Sequence, residues 1–291
     1  MPRSLCRMFL RLHFPPPPLG RFVESITYYR GLVSDHAREK LLPDGIVHIV
    51  VDLTDTPKKR YQSADGIGIT EFRESWVSGA HDRFIVIGAE TGSSMLVIAF
   101  RPGGAYPFLG LPLDVITNSV LPLDSVVGPA SARGLRDRIL ETPDADGKID
   151  VAQEWLTARC RDLAFDRSVH HMTARLHAGG RTGVAGLMGE TGYTQRHVSA
   201  LFRRWVGLSP KQFHRLRRFA GLREFIARDH FDWRMGPRRP DWSDLAVAFG
   251  YADQSHLSRD FRDFAGMTPG AFAQAARGID NYLPVDGPVE G

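Results

Sequence analysis

The side chains best placed by type and spacing to do chemistry lie in two stretches near the C-terminal end of this 291-residue chain. In the first, Gln195, Arg196, Ser199, Arg203 and Arg204 are interleaved with apolar residues at helical spacing; in the second, Gln254, Ser255, Ser258, Arg259 and Arg262 are arranged the same way. Arginine carries paired donors, and glutamine a donor beside an acceptor, that match base edges in a major groove, and serine and arginine also suit phosphate oxygens. The chemistry implied is recognition of a nucleic acid rather than bond breaking.

The elements that must position these side chains can be read from the fact that the two stretches are copies. Gln195, His197, Ser199, Phe202, Arg203, Gly207, Pro210 and Phe213 recur 59 residues later as Gln254, His256, Ser258, Phe261, Arg262, Gly266, Pro269 and Phe272. Upstream, Leu187, Gly192 and Tyr193 match Leu245, Gly250 and Tyr251 at an offset of 58. One residue is therefore inserted just after the Gly-Tyr pair, where a turn can absorb it. Each copy predicts a short apolar helix, a turn at Gly-Tyr, a second helix, and an end at Gly followed by Ser-Pro or Thr-Pro, the outline of a helix-turn-helix. Thr194 and Asp253 are the expected N-caps of the second helices. Val198, Leu201, Phe202 and Trp205 in one copy, and Leu257, Phe261 and Phe264 in the other, form the expected core faces.

Between the copies, Ser209-Pro210 opens a further helix that should run to about Arg228. About 19 residues at 1.5 Å rise give roughly 28 Å, close to the roughly 34 Å between successive major grooves on one face of a duplex. Such a helix could seat both units on one DNA without dimerisation. Lys211, Arg215, Arg217 and Arg218 near its start are expected either to face phosphates or to form an ordinary solvated basic face.

Charge follows the same division. Residues 168–278 hold 17 Lys+Arg against 9 Asp+Glu, residues 1–167 hold 20 against 21, and the chain as a whole carries +4. Basicity belongs to the repeat-bearing half, which points that half toward a polyanion. A hydrophobic content of 43% with 24% charged residues is that of a soluble globular protein. No apolar run approaches the roughly 18–20 residues of a membrane span, and Arg3, Arg7 and Arg11 interrupt any signal-peptide pattern. No membrane partner and a cytoplasmic location are therefore expected. Cys6 and Cys160 lack metal-ligand spacing and read as free thiols.

The fold class expected is multidomain α+β: a β-rich, barrel- or sandwich-like N-terminal domain with trailing helices, and an all-α C-terminal domain of two helix-turn-helix units joined by a long helix. Residues 1–20, with Pro15–Pro18, read as a loose leader. Residues 21–166 read as the β-rich domain, with strands over 46–53, 84–88 and 95–100 and helices over 131–141 and 149–165. Residues 167–183 read as a solvated linker, 184–278 as the helical domain, and 279–291 as a disordered tail. His170, His171 and His177 in the linker offer a weaker metal-cluster alternative. His36, His48 and His81 with Asp44, Asp52 and Glu90 offer another: a cupin-like metal-dependent catalytic domain fused to the DNA-binding part. No compact His-x-His pattern with a following Glu supports it, so no catalytic residue, metal or cofactor is assigned. A third alternative is an architectural nucleic-acid protein without sequence preference.

Gly250-Tyr251-Ala252-Asp253-Gln254-Ser255-His256-Leu257-Ser258-Arg259-Asp260-Phe261-Arg262, followed by Gly266-Met267-Thr268-Pro269, resembles the signature of the AraC/XylS-type transcriptional regulators. Gly192 to Pro210 resembles their shorter-turn first unit. The resemblance covers roughly the C-terminal third of the chain. It implies base contacts from Gln195, Arg196, Ser199, Gln254, Ser255, Ser258 and Arg259. Together with the basic residues read above, it implies phosphate contacts at Thr194, Arg203, Arg204, Lys211, Arg215 and Arg262. The chain departs from the family at Met188, where the second unit has Ala246; at Ala200, where a long polar reader is common; in the glycines at 179, 180, 183, 186 and 189; and in a long link from Ala227 to Trp242. Leu42-Pro43-Asp44-Gly45 and Phe100-Arg101-Pro102-Gly103-Gly104 are similar to short motifs of the β-rich domains found ahead of such DNA-binding parts, although each also reads as an ordinary turn. The resemblance makes double-stranded DNA, a small-molecule effector, RNA polymerase and a second copy of the chain the expected partners. The effector's binding residues are not indicated.

Overall fold

The computed structural model describes residues 8–63, 66–160, 166–177, 184–228, 241–276 and 281–285. The β-branched runs in its first half form ten strands: β1 (Phe9–His13), β2 (Val23–Arg30), β3 (Arg38–Leu41), β4 (His48–Asp52), β5 (Lys58–Tyr61), β6 (Ile69–Phe72), β7 (Ser75–Ser78), β8 (Ile85–Gly88), β9 (Ser94–Phe100) and β10 (Val120–Pro122). They are followed by α1 (Tyr106–Leu109), α2 (Leu123–Val127), α3 (Pro129–Glu141) and α4 (Ala145–Arg159). A strand near the C-terminus, β11 (Tyr282–Pro284), completes two antiparallel sheets, ordered β1-β2-β9-β4-β7-β10 and β11-β3-β8-β5-β6. The sheets form a sandwich-like pair, not a closed barrel.

Period-two alternation decides what each sheet face does. Ile49 and Val51 on β4 and Leu96, Ile98 and Phe100 on β9 are buried in one core with Leu135, Ile139, Ile149 and Leu156 from α3 and α4. The intervening residues look at the second sheet, as shown by Lys58 Nζ of β5 lying 3.9 Å from Asp52 of β4. On this inner face Thr27, Tyr29, His48, Trp76, Met95 and Val97 are only half-buried, and none belongs to either apolar core. This inner face is thus less completely buried than the face turned to α3 and α4.

The second core is helical. It draws on α5 (Arg167–His177), α6 (Val184–Thr191), α7 (Gln195–Val206), α8 (Pro210–Arg228), α9 (Trp242–Ala248), α10 (Gln254–Ala265) and α11 (Pro269–Ala275). Leu42, Ala80 and Leu283 join it from the β-rich side, so the two domains share a packed boundary.

Three expectations are corrected. The leader is not a loose arm from Phe9 onward: β1 pairs with β2 from Phe9↔Arg30 to His13↔Ile26, and its Arg11 and His13 reach Asp146 and Gln153 of α4 at 2.7 and 3.1 Å. The expected linker contains α5, whose Val169, Met172 and Leu176 are buried in the helical core; their spacing of three and four was hidden among histidines and arginines. The tail is ordered over β11, because the edge of β3 offers it backbone partners at Tyr282↔Leu41, Leu283↔Lys40 and Pro284↔Glu39. Cys6, the glycines at 179, 180 and 183, and the arginines at 234, 238 and 239 lie outside the described residues.

Candidate nucleic-acid interface

Both helix-turn-helix units are built by the same local chemistry. The turns pass through Gly192 at φ 70° and Gly250 at φ 74°, a left-handed backbone that glycine adopts without steric cost. Thr194 then caps α7 by accepting from His197 N at 3.3 Å, and Asp253 caps α10 by accepting from His256 N at 2.7 Å. Ala252 is the inserted residue of the second turn. Each turn tyrosine packs on the histidine that follows, Tyr193 on His197 at 4.5 Å and Tyr251 on His256 at 5.3 Å between ring centroids. Val198 and Phe202 anchor α7, and Leu257, Phe261 and Phe264 anchor α10, while Leu201 and Trp205 are partly buried. Both helices end at left-handed glycines, Gly207 and Gly266.

With one face fixed inward, the opposite face is polar. Gln195 and Arg196 on α7, and Gln254, Ser255 and Arg259 on α10, are exposed, with Ser199 and Ser258 half-buried beside them. All seven residues expected to read bases thus lie in the N-terminal halves of the two helices. Thr194, Arg203, Lys211 and Arg262 are exposed as well. Arg196, Arg203, Arg259, Arg262 and Lys211 make no side-chain hydrogen bond or ion pair among the described residues.

Other cations expected to face phosphates are directed into the protein. Arg215 donates to Asp260 at 2.6 Å and to Asp263 at 2.7 Å, tying α8 to α10. Burial works against its charge, but the two carboxylates outweigh that and hold its pKa above the ordinary arginine value. Arg218 donates to Gly250 O at 2.8 Å, covers the Tyr251 ring and lies 3.7 Å from Asp260. Arg217 donates to Asp44 O at 3.1 Å, and burial pushes its pKa down. Arg204 donates to Tyr106 Oη at 2.8 Å. Sequence periodicity gives a basic residue's helix face but not the acid, carbonyl or hydroxyl that packs against it, which is why these four read as facing phosphates or solvent.

The cupin-like candidates are dispersed. His36 contacts Asp35 and Glu39, His48 contacts Asp44, and His81 contacts Ser78. Among the described residues no three His, Cys, Asp or Glu side chains converge as a metal site would require. His171 pairs with Glu190 at 3.1 Å.

Residues 187–275 match a family model described as a helix-turn-helix domain, spanning both units and the helix between them. Through this helix-turn-helix domain the chain is a DNA-binding transcription regulator. Its N-terminal domain matches, over residues 11–122, a model described as a domain of unknown function. No curated protein matches the chain in sequence. Among solved structures it is similar to ToxT from Vibrio cholerae O395, at 9% identity and a TM-score of 0.46 over 84% of this chain and 97% of that one. It is similar to unsaturated fatty acid-bound ToxT from Vibrio cholerae strain SCE256, at 8% identity and a TM-score of 0.45 over 96% and 99%. It is also similar to the AraC-like transcriptional activator CuxR, at 13% identity and a TM-score of 0.25 over 73% and 86%.

The two short motifs of the N-terminal domain turn out to be docking points for the helices. Pro43 and Asp44 offer their carbonyls to Arg223 and Arg217, each at 3.1 Å. Gly45, at φ 75°, lies so close to α8 that a Cβ there would stand 2.7 Å from Leu216. At the second motif, a Cβ on Gly103 would stand 3.0 Å from Val169 of α5. Further contacts hold the C-terminal ends of α7 and α10. Thr117 Oγ1 donates to Gly207 O at 2.6 Å, and the Tyr106 ring lies 4.4 Å from that of Trp205. Phe84 N donates to Phe264 O at 3.1 Å and Lys40 Nζ to Ala265 O at 3.4 Å. The N-terminal domain therefore grips the C-terminal ends of α7 and α10 and leaves their N-terminal halves open. A turn-forming Pro-Asp-Gly was visible in sequence; that α8 lay against it was not.

Proposed function

We propose that this regulator reads two successive major grooves of one duplex, inserting the N-terminal halves of α7 and α10. Gln195, Arg196, Ser199, Gln254, Ser255, Ser258 and Arg259 contact bases; Thr194, Arg203, Lys211 and Arg262 contact phosphates. The observation that supports this best is the pair of capped helices on which Arg196, Arg203, Arg259 and Arg262 make no side-chain hydrogen bond or ion pair among the described residues, joined by the 19-residue α8. Recognition helices of this kind meet base edges with their N-terminal residues. Arg204 and Arg215 contribute to DNA binding through the protein contacts that orient α7 and α10, not by reaching phosphate. The two units differ: Ala200 gives α7 one reader fewer, so the second unit carries more of the sequence preference.

The N-terminal domain modulates this activity, with a small molecule held between its two sheets. The less completely buried inner face, with Tyr29 and Trp76 as aromatic walls and charged groups such as Arg60 and Glu39 at hand, supports that placement. The role is regulatory rather than catalytic and the setting cytoplasmic; among the described residues no helix is long and apolar enough to cross a membrane. Selection of bound duplexes from a random pool tests the reading. Two half-sites about 10 to 10.5 base pairs apart are expected, whereas equal affinity for selected and shuffled duplexes at matched salt would refute it.

A further inference from the structure

We propose that β11 is the coupling strand of this regulator, through which the state of the space between the sheets acts on the second DNA-reading unit. The inference rests on the regulatory role given above to the N-terminal domain, and it assigns the part of the chain that carries the signal.

The strand is placed by backbone bonds to β3 on both sides: Leu42 N donates to Asn281 O at 2.8 Å, and Val285 N to Arg38 O at 3.0 Å. Alternation then sends its side chains in opposite directions. Tyr282 and Pro284 lie on the face of Leu41 and Glu39, toward the other sheet. The register of β3, β8 and β5 puts that face on the side of Arg60 and Lys58, which look at the other sheet, and burial raises the pKa of the Tyr282 phenol far above the ordinary value. Yet 38% of Tyr282 remains accessible. On the edge strand of its sheet, Tyr282 therefore stands at the rim of the space between the sheets.

Leu283 points the other way, is fully buried, and belongs to the helical core with Phe264, Ala265 and Phe272. Its register partner Lys40 donates to Ala265 O at the C-terminal end of α10 and covers the Phe84 ring at 4.5 Å. Phe84 in turn donates its N–H to Phe264 O. Two adjacent residues of one paired strand therefore stand in the inter-sheet space and in the core beneath α10. A ligand or side chain that displaces Tyr282 must move Leu283, since the peptide between them is stiff and the strand is bonded along its length.

The test needs no identified ligand, because a larger ring at position 282 acts as a built-in occupant. In the full chain, Tyr282→Trp should raise or lower amide exchange in the last turns of α10 by about threefold or more, while Tyr282→Phe leaves it unchanged. Affinity for a selected duplex should shift with exchange. In a Leu283→Ala background the effect of Tyr282→Trp on α10 should vanish. Changes confined to β2, β3 and β11, or an effect on α10 that persists undiminished in Leu283→Ala, would overturn the proposal. If Tyr282→Trp does not fold, Tyr282→Ala, which vacates the same position, is read against the same outcomes. Exchange is measured without DNA, so failure of the chain to select a duplex would count against the function proposed above and not against the coupling.

Discussion

Arg215 offers the sharpest test of the geometry, because its sequence setting and its structural setting predict different behaviour. A free arginine at the start of a DNA-docked helix would neutralise a phosphate, and its removal would lower the magnitude of the salt slope by roughly 0.9. In the structure its guanidinium bridges Asp260 and Asp263. Asp260 is only 1% exposed, and one of its carboxylate oxygens already lacks a hydrogen-bond partner among the described residues. Arg215→Ala would remove two bonds to a buried carboxylate and leave only Arg218, at 3.7 Å, to balance it. Breaking a fully buried pair costs about 3–5 kcal/mol. Arg215 keeps 30% of its side chain in solvent, and Arg218 remains, so a loss of roughly 2 kcal/mol is expected. Urea denaturation of the full chain measures it, and a double-mutant cycle with Asp260→Asn isolates the pair. Arg203→Ala is the control, expected to keep stability and lower the salt slope by roughly one unit. If Arg215→Ala keeps full stability and takes the unit of slope instead, the clamp has been misread.

Arg259→Ala should cost about 1–3 kcal/mol on a selected duplex and relax preference at one base position; an equal loss on every sequence would make it a phosphate contact. Gly189→Ala should stabilise α6 by about 0.5–1 kcal/mol, since a Cβ there meets nothing within 4 Å and glycine is costly inside a helix; a fall in thermal midpoint would contradict this. Burial, with Arg60 adding to it, pushes the pKa of His81 down to about 4 from an ordinary 6.5. Its neutral form is the folded one, so stability is complete above pH 6.5 and declines, by up to roughly 3 kcal/mol, as pH falls through 4. His81→Gln should flatten that part of the pH profile, and identical profiles for variant and parent would exclude the assignment.

The repeat made most of the helical half legible. Caps, turns, the inserted Ala252 and the extent of α8 all depend on residues close together in sequence, and periodicity reports such relations directly. The exposure of the polar faces of α7 and α10 followed, because a side chain left over from an amphipathic core face must point outward. Partners distant in sequence were not legible. Arg215 and Asp260 are 45 residues apart and Arg217 and Asp44 are 173 apart, and no local pattern marks either pair. The same applies to β1 and β11, whose short segments become strands only because β2 and β3 present open edges. Pro15–Pro18 and the prolines of the tail signalled where regular structure breaks, but not that strands stood beside those breaks.

Where the N-terminal domain holds the helices limits how it can control them. Its contacts fall on α8, on Gly207 after α7 and on Ala265 at the end of α10, all on the side away from the readers. A domain docked there does not cover the side chains proposed to contact bases, so blocking that surface is not available to it as a means of control. It does hold both units at once, through the 42–45 turn on the helix between them and through separate contacts at each far end. Two readers must meet grooves separated by one helical turn of DNA, and a misplacement of about 1 Å is comparable with the tolerance of a hydrogen bond. A small shift in any one docking contact therefore changes whether both units can engage together, while each retains its own fold. Affinity for a two-half-site duplex should respond to such a shift far more than affinity for a single half-site, because only the former depends on the spacing that the docked domain sets.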